Sequence, residues 1–506
     1  MDDRLTPRRG AWALGLLLSL AVGCARPPRP PAAEPPSSPR VALFLSADMR
    51  GQLGPCGCSE AMRGGLARAA SLLEAARREG AAVALVDGGD LLFPSASLTE
   101  AQRPGEERKA RALADGFQRM GLVAAARGER DLARGTAFAD GLGVPWLEAE
   151  GTRLLVLGGR KLGVVTGQEA GPLRAGAAGL RASGAQFVVG LAHVDWAAAR
   201  RLASEPGLGI DLLLVGHGGE GLEAEENRAL RGPVTLVQLQ DRGRSLARVD
   251  LRFAANGGFE WAAGEADRDR ELAALDARVE LLRAQLDAPG LAEELKRLRA
   301  SKLEELLARR AGLAQRPVEL PTGRNVATLR LLPVEHTVPE EPGVAAVVAA
   351  YDADVGALNL AWAKAHGTPC PEPSPGQAAY VGTATCGGCH AEALGTWQRS
   401  KHAQAHAALE AKGKALHLEC VGCHVTGWMK PGGTCRLDGL QGAPQAVGCE
   451  ACHGPGSLHV RAPARTNIQR DVPESTCTGC HDRENSPHFR WSTYLPLILG
   501  PGHGAR

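Results

Sequence analysis

Short apolar runs, separated by stretches with helical spacing, dominate the first half of the chain. Residues 40–47 and 81–86 are apolar segments of strand length, and the second leads into the acidic turn 87–90. Between them, apolar side chains recur at helical intervals, at Leu66, Ala70, Leu72, Leu73 and Ala76. Other apolar runs of strand length predict further strands at 154–157, 163–166, 186–192, 211–215, 233–239 and 246–253. Acidic residues at strand ends, followed by helices, indicate an α/β architecture whose site lies at one sheet edge.

Residues 266–313 are rich in Ala, Leu, Glu and Arg and follow a helical period. Apolar residues on both sides of Pro289-Gly290 predict two helices that are joined at that turn. A strand-like run is predicted within 316–334, and another helix over 343–364. The hairpin could form a homo-oligomer through a short coiled coil. It could also pack against its own chain, and the pattern leaves both interpretations open.

The C-terminal segment has few long apolar periods, but it repeats one short motif four times. The copies C-G-G-C-H, C-V-G-C-H, C-E-A-C-H and C-T-G-C-H comprise Cys386, Cys389 and His390; Cys420, Cys423 and His424; Cys449, Cys452 and His453; and Cys477, Cys480 and His481. At this composition, chance would give roughly 0.009 copies. A zinc site would explain the paired cysteines, but not a histidine directly after each pair.

C-x-x-C-H is the attachment signature of c-type haem. The two thiols join the haem vinyl groups, and the following histidine binds the iron as its proximal ligand. Four c-type haems are therefore expected, with proximal ligands His390, His424, His453 and His481. Distal ligands would come from the remaining candidates of the segment, which are His402, His406, His417, His459, His488, His503 and Met429. Because porphyrins would supply much of the apolar core, the segment without haem should be largely unfolded.

The N-terminus has the pattern of an export signal. Arg4, Arg8 and Arg9 precede an apolar run over 11–22, which is short for a membrane span. The run ends in A-V-G-C, which resembles a bacterial lipobox and implies a lipid on Cys24 after cleavage. A plain signal peptide with an incidental cysteine is the alternative. Residues 1–24 are thus predicted to be a lipoprotein signal peptide, and the Pro-rich residues 25–39 an extended tether.

Composition narrows the function classes further. The 506 residues carry 58 basic and 56 acidic side chains, and no basic domain argues for nucleic acid. The chain is long enough for two or more domains. Cys370 and Cys435 lie outside the haem motifs and could pair in an oxidising compartment. Cys56 and Cys58 could be thiols or soft-metal ligands.

Six ordered motifs in residues 40–262 resemble the calcineurin-like metallophosphoesterases, in particular their secreted 5′-nucleotidase branch. They are S-A-D-M-R-G (46–51), G-G-L-A-R (64–68), V-D-G-G-D (86–90), A-R-G-E-R-D-L (126–132), L-A-H-V (191–194) and D-L-L-L-V-G-H-G-G (211–219). The resemblance implies a four-layer α/β/β/α sandwich. It also implies a family site in which two divalent metals are held by Asp, His and Asn ligands.

This sequence departs from that family pattern at four positions. Arg50, Glu129, Arg130 and Gly219 stand where the family has His, Asn, the catalytic His and a second His. The resemblance leaves Asp48, Asp90, His193 and His217 as retained ligands, with Glu129 as a further oxygen ligand. We therefore expect at most one divalent cation, such as Mn, Fe or Zn. Since guanidinium groups form bidentate pairs with carboxylates, Arg50 and Arg130 are expected to replace the missing charge beside Asp48 and Asp90.

Residues 369–506 resemble the tetrahaem cytochrome c family typified by the ammonia-oxidiser electron carrier. The resemblance rests on Y-V-G-T-A-T-C-G-G-C-H, S-K-H-A-Q-A-H, C-H-V-T-G, G-C-E-A-C-H-G-P-G-S-L-H and C-H-D-R-E-N-S-P-H-F. In that family most irons have two His ligands, and one haem can be five-coordinate. By position, the favoured distal ligands are His402, His406, His459 and His503. Residues 263–368 would form the helical hairpin and linking segment, which completes a multidomain chain.

The leading hypothesis is a lipid-anchored, periplasmic-side cytochrome that transfers electrons through four haems. Its degenerate phosphoesterase-like domain would serve for docking or ligand binding. The alternatives are a haem-dependent oxidoreductase acting on a small nitrogen or sulfur compound, and a metal-dependent phosphohydrolase. Redox partners would be cytochromes or quinol-linked complexes, and the protein would be exported to face the periplasm or the cell exterior.

Overall fold

A computed structural model describes residues 40–55, 62–216, 227–254, 257–262, 265–286, 293–315, 320–367, 370–440, 446–482, 485–486 and 489–503. The predictions for the signal peptide and tether lie outside the described residues. So do those for Cys24, Cys56, Cys58, His217 and His488.

Twelve strands form two sheets in the described part of the first two-thirds of the chain. They are β1 (Val41–Ser46), β2 (Ala82–Asp87), β3 (Leu122–Ala125), β4 (Thr152–Leu157), β5 (Arg160–Thr166), β6 (Phe187–Ala192), β7 (Leu212–Val215), β8 (Arg228–Leu230), β9 (Thr235–Gln238), β10 (Ser245–Arg252), β11 (Phe259–Trp261) and β12 (Asn325–Pro333). The first sheet has the order β11-β12-β10-β1-β2-β3, and the second the order β4-β5-β6-β7-β9-β8. Each predicted strand overlaps an observed one.

Eight helices accompany these strands. They are α1 (Leu66–Arg78), α2 (Arg103–Met120), α3 (Thr136–Asp140), α4 (Ala170–Ala182), α5 (Trp196–Ser204), α6 (Glu265–Leu286), α7 (Glu293–Gln315) and α8 (Pro342–His366). One apolar core lies between the inner faces of the two sheets. α1, α2 and α8 bury the outer face of the first sheet, and α4 and α5 bury that of the second. The predicted four-layer α/β/β/α sandwich is therefore confirmed.

The segment expected to link the two domains supplies a strand and a helix to the first one. β12 pairs antiparallel with β10 over eight positions, from Ser245–Pro333 to Arg252–Val326. α8 has the length and apolar composition of a membrane-crossing helix. In this fold it packs on α1 and α2, burying one face through Val344, Val347, Tyr351, Val355 and Asn359. Its buried residues recur at intervals of three or four, as helix packing requires.

α6 and α7 pack against each other, as the leucine spacing predicts. Leu275, Val279 and Leu306 are buried between them. Leu281 and Leu298 are largely exposed on the same hairpin. The turn at residues 287–292 lies outside the described residues. Oligomer formation through this hairpin stays a prediction.

The C-terminal segment consists of short helices and irregular backbone. The helices are α9 (Thr383–Gly387), α10 (Ala391–Gln398), α11 (Ala405–Glu410), α12 (Leu418–His424), α13 (Cys449–His453), α14 (Ser457–Arg461), α15 (Glu474–Thr478) and α16 (Trp491–Tyr494). Its small apolar cluster joins Val421, Val425, Leu437 and Leu440 to residues of α8. A disulfide joins Cys370 to Cys435, the pair that the sequence left as an option.

Candidate functional site

Two loops at the carboxyl ends of β1 and β2 form the first candidate site. The strands are parallel and in register throughout, so both loops leave the sheet at the same edge. The Asp48 amide donates to the Gly89 carbonyl at 2.9 Å, and the Arg50 amide donates to the Asp90 carbonyl at 2.8 Å. Asp48, Arg50 and Asp90 have φ values of 58°, 49° and 55°. Because left-handed backbone costs such residues about 1–2 kcal/mol each, these hydrogen bonds help to hold the site in shape.

The Arg50 side chain lies on the Asp48 carboxylate. Its Nε and Nη2 atoms donate to Asp48 Oδ1 and Oδ2 at 2.9 and 3.0 Å. Its Nη1 atom lies 3.4 Å from Asp241, and all three side chains are buried. Burial raises the pKa of Asp48, and the hydrogen bond with Arg50 opposes that rise. Both carboxylate oxygens of Asp48 are therefore engaged by a fixed internal cation.

Arg130 makes the corresponding pair with Asp90. Its Nη1 atom lies 2.7 Å from Asp90 Oδ2, and its backbone amide donates to Oδ1 at 3.0 Å. Beside this pair, Glu129 Oε2 and His193 Nε2 are 2.7 Å apart. Burial favours the neutral form of Glu129, but its hydrogen bonds with His193 and the backbone hold its pKa below the usual range. A Cβ on Gly128 would collide with the Asp90 carboxylate, so only glycine lets the backbone come this close to Asp90.

Two buried aspartates without an assigned role organise these loops. The Asp131 carboxylate accepts hydrogen bonds at 2.8–2.9 Å from the amides of Asp90, Leu91, Leu92 and Gly128. Asp87 accepts from the Ser46 hydroxyl at 2.6 Å and the Gly89 amide at 2.9 Å. Burial raises the pKa of Asp87 to about 8 and that of Asp131 to about 7.

The residues do not fit the two metals implied by the resemblance. Asp48 would serve the first metal, but Arg50 already holds both of its oxygens. For the second metal, ligand atoms of Asp90, Glu129 and His193 lie within 4.8 Å of one another. There a cation would compete with Arg130 for Asp90. The predicted fourth ligand, His217, lies outside the described residues.

The four C-x-x-C-H motifs form the second candidate site. Each motif includes a short helical turn. In the first and last copies, the histidine amide donates to the carbonyl of the first cysteine. These bonds, from His390 to Cys386 and from His481 to Cys477, measure 3.0 and 2.7 Å. Three of the motif histidines have a fixed Nδ1 atom, because this atom contacts a backbone carbonyl or a hydroxyl. The contacts join His424 to Ala405 at 2.6 Å, His453 to Gln469 at 2.7 Å and His481 to Ser486 at 2.8 Å. An occupied Nδ1 leaves Nε2 to face a metal.

Two motif histidines face another histidine ring. The centroids of His390 and His459 are 6.4 Å apart, with planes inclined by 23°. The centroids of His402 and His481 are 6.0 Å apart, with planes inclined by 49°. Imidazole nitrogens lie about 2 Å from a bound metal, so two rings on opposite sides of one iron have centroids about 6 Å apart. Both pairs therefore have the separation that a shared iron requires.

The remaining candidate histidines lie in different surroundings. His406 on α11 is buried, and its Nε2 atom has no hydrogen-bond partner within the described part of the chain. His503 lies in the C-terminal turn, after residues that pack on α10. His417 is 1% exposed and faces the Tyr351 ring of α8 at 6.0 Å, so it lies at the contact between the two parts of the chain. Met429 is exposed.

The motifs also lie close to one another. The Cys386 thiol interacts with Cys449, which joins the first and third motifs. The Cys423 and Cys480 thiols interact, which joins the second and fourth. Cys452 lies near Cys477, which joins the third and fourth. The four motifs thus form one cluster.

Sequence reasoning missed several charged residues at these sites. Asp131 and Asp87 stand in motifs that were recognised, but their hydrogen bonds to backbone amides could not be read from spacing. Asp241 follows β9, and only the fold brings it beside Arg50. Lys109 and Glu419 are 310 positions apart in sequence, yet their side chains form an ion pair. An acidic residue directly before Cys420 was the only available signal for that pair.

Residues 385–454 match the family model described as cytochrome c554 and c-prime. Cytochrome c-554 of Nitrosomonas europaea is 35% identical over 94 residues, covering 16% of this chain and 40% of the relative. The chain thus spans two-fifths of that relative's length. Part of the C-terminal segment is therefore similar to part of a c-type cytochrome.

Solved structures resemble the first part of the chain at low sequence identity. A 5′-nucleotidase precursor from Thermus thermophilus has 15% identity and a TM-score of 0.41, covering 63% of this chain and 59% of its own. The sulfate thiohydrolase SoxB of the same species has 16% identity and a TM-score of 0.40, with coverages of 63% and 61%. The calcineurin-like phosphoesterase YfkN from Bacillus subtilis has 17% identity and a TM-score of 0.34, with coverages of 43% and 87%. These likenesses concern the fold alone.

Proposed function

We propose that the protein is an exported electron carrier with four haems attached to its C-terminal segment. The observation that carries this proposal is the fourfold C-x-x-C-H repeat within residues 386–481. Three of the four copies lie within the residues that match a cytochrome family model. Haem iron supplies one-electron redox chemistry, and the protein tunes it through ligands, hydrogen bonds and burial. The eight motif cysteines would hold the four groups, and His390, His424, His453 and His481 would bind the irons on one side.

Ring geometry supports particular distal ligands for two of the irons. We assign His459 to the iron of His390, because their rings are nearly parallel and 6.4 Å apart. We assign His402 to the iron of His481 on the 6.0 Å separation. Double histidine ligation closes an iron to substrates and suits it to electron exchange. His406 and His503 remain the candidates for the other two irons.

The contacts between motifs support a relay rather than four isolated sites. Cys386 with Cys449, and Cys423 with Cys480, would place the corresponding porphyrin edges close together. An electron that enters at one haem could then leave at another. Redox partner proteins, such as cytochromes or quinol-linked complexes, would meet the outer haems.

The first domain, on this proposal, has lost the chemistry of its fold relatives and serves for docking or ligand binding. The Arg50–Asp48 and Arg130–Asp90 pairs support this, because arginines stand where metals would need free carboxylates. Arginine also stays charged and cannot act as a general acid near neutral pH. At most one cation would be held, by Asp90, Glu129, His193 and His217, in competition with Arg130.

The same proposal places the protein on the outer side of a bacterial membrane. The support is the signal-like N-terminus ending at Cys24, which would carry the lipid. The Pro-rich residues 25–39 would then hold the folded part away from the bilayer.

A second candidate function is a haem-dependent oxidoreductase for a small nitrogen or sulfur compound. It rests on one difference between the motifs: the ring contacts supply a second histidine for His390 and His481 and leave the irons of His424 and His453 unassigned. An iron without a distal ligand could bind a small molecule. Such a haem would be high-spin and would bind nitric oxide or cyanide, whereas four closed irons would ignore both.

The experiment begins with holoprotein isolated from a host that attaches c-type haem. A pyridine haemochrome assay should give four haems per chain, and Cys420→Ser/Cys423→Ser should give three. Stopped-flow mixing with a reduced small cytochrome should then reduce the haems. Hydrolysis of nucleotides and thiosulfo-esters with added manganese should not exceed that of Asp90→Ala. Fewer than four haems, or turnover that this substitution abolishes, would overturn the proposal.

A further inference from the structure

A buried lysine of the first domain contacts the residue directly before the second haem motif. Lys109 lies on α2 and is 4% exposed. Its Nζ atom lies 2.9 Å from Glu106 Oε1 and 3.1 Å from Glu419 Oε2. Glu419 is the residue directly before Cys420, at the start of α12. Lys109 of the first domain therefore forms an ion pair with the residue that directly precedes Cys420, the first cysteine of the second haem motif.

Further contacts fix the backbone of this attachment segment on α8. The Asn359 side-chain amide donates to the Leu416 carbonyl at 3.0 Å, and Asn359 is itself buried. The buried His417 ring lies edge-on to Tyr351. Lys414 Nζ lies 3.7 Å from Asp352. Together with the Lys109 ion pair, these contacts hold residues 414–419 on the first domain, immediately before the motif.

The loop after β1, which carries Asp48 and Arg50, also lies close to this attachment segment. A Cβ on Gly54 would lie 3.8 Å from Lys414 Nζ. Gly54 follows Arg50 by four residues, in the loop after β1. The contact therefore joins the Asp48–Arg50 loop, α8 and the second haem motif.

We infer that Lys109 is a positioning residue for the haem held by Cys420 and Cys423, and that its charge sets the reduction potential of that haem. This inference rests on the proposed electron-transfer function. Glu419 is half exposed and lies beside the attachment cysteine, so its negative charge favours the oxidised iron. Lys109 offsets that charge from the buried side, where electrostatic interactions are screened less than at the surface.

Glu106 determines which variant tests the inference cleanly. It is the second carboxylate that contacts Lys109, and its side chain is largely buried. Replacing Lys109 alone would leave Glu106 buried without its cation, which is costly. The double variant Lys109→Gln/Glu106→Gln removes the pair together and leaves Glu419 without its neighbouring cation. Glu419→Gln removes the opposite charge at a half-exposed position, where folding should tolerate the change.

The test is a spectroelectrochemical titration of the full-length holoprotein, fitted with four components. Lys109→Gln/Glu106→Gln should move one component to lower potential, and Glu419→Gln should move the same component to higher potential. Lys109→Arg should keep the wild-type value. Arg111→Gln removes a charge from the exposed side of the same helix, near Phe138, and should move none. Opposite shifts could not come from a merely structural role.

Four haems with unchanged potentials in both variants would overturn the inference and leave the proposed function standing. Shifts of the same sign in both variants would overturn it as well. If the double variant does not fold, Glu419→Gln decides alone, and an unchanged titration of that variant contradicts the inference. Fewer than four haems in the wild-type protein would instead contradict the proposed function.

Discussion

The guanidinium of Arg50 donates two hydrogen bonds to the Asp48 carboxylate, at 2.9 and 3.0 Å, and both side chains are buried. The positive charge that balances Asp48 is therefore part of the chain itself. Arg130 and Asp90 repeat the arrangement in the neighbouring loop.

Arg50→Ala should destabilise the first domain strongly even when EDTA is present. Removing one partner of a buried ion pair leaves an uncompensated charge and costs about 3–5 kcal/mol. Urea denaturation followed by tryptophan fluorescence measures the change. Arg119→Ala breaks the exposed pair with Asp115 on α2 and should cost only about 0.3–0.5 kcal/mol. A loss in Arg50→Ala no larger than this control would contradict the role of the pair.

Asp87 should make the first domain less stable as the pH rises. Burial raises its pKa to about 8 in the folded protein, whereas an unfolded aspartate titrates near about 3.9. Its contribution to stability is therefore fully present below about pH 4 and is lost as the pH rises through about 8. Asp87→Asn removes this titration, so its thermal midpoint should fall less between about pH 5 and pH 8.5. The exposed change Asp115→Asn serves as control, and parallel pH profiles for wild type and Asp87→Asn would refute the prediction.

The two facing histidine pairs should behave as axial ligand pairs. His459→Ala and His402→Ala should each convert one low-spin haem to high spin, and the double variant should convert two. Electron paramagnetic resonance of the oxidised holoprotein counts these signals. His336→Ala alters an exposed histidine outside the haem segment, and His417→Ala alters the ring buried against Tyr351. Neither should change a spin state, and an all-low-spin spectrum for His459→Ala would exclude its assignment.

The strands could be predicted from the sequence because their apolar runs are long and end at turn residues. β3 was not predicted, although it is as long as β7. It follows α2 after Gly121 alone, so its short apolar run could not be separated from the helix. β12 was recognised as strand-like, but its place beside β10 depends on a pairing with residues some 80 positions earlier. α8 shows the same limit, since spacing revealed a helix but not the α1 and α2 surface that it covers.

In the candidate sites, too, some features could be predicted from the sequence and others could not. Haem attachment is encoded locally, within five consecutive residues, and could be read directly. The Arg50–Asp48 pair could be expected from the family position of each residue. That His459 faces His390 could not be predicted, because it depends on the path of the chain between them. Both residues had been named as candidates. Lys109 carried no local signal, because its importance comes only from the packing of two domains.

The Cys370–Cys435 disulfide should stabilise the C-terminal segment without taking part in haem attachment. The cysteines are 65 residues apart, and closing a loop of that length contributes up to about 4 kcal/mol. Cys370→Ser/Cys435→Ser should therefore lower the guanidinium midpoint of the holoprotein while keeping its haem content. An unchanged midpoint, or a loss of haem in the double variant, would contradict this separation of roles.

All four motifs should carry redox-active haem in one protein. Coulometric reduction of the purified holoprotein, followed in the visible haem bands, tests it most directly. Each chain should take up four electrons and return all four on reoxidation. Uptake of fewer than four electrons per chain, with the protein fully folded, would contradict the claim.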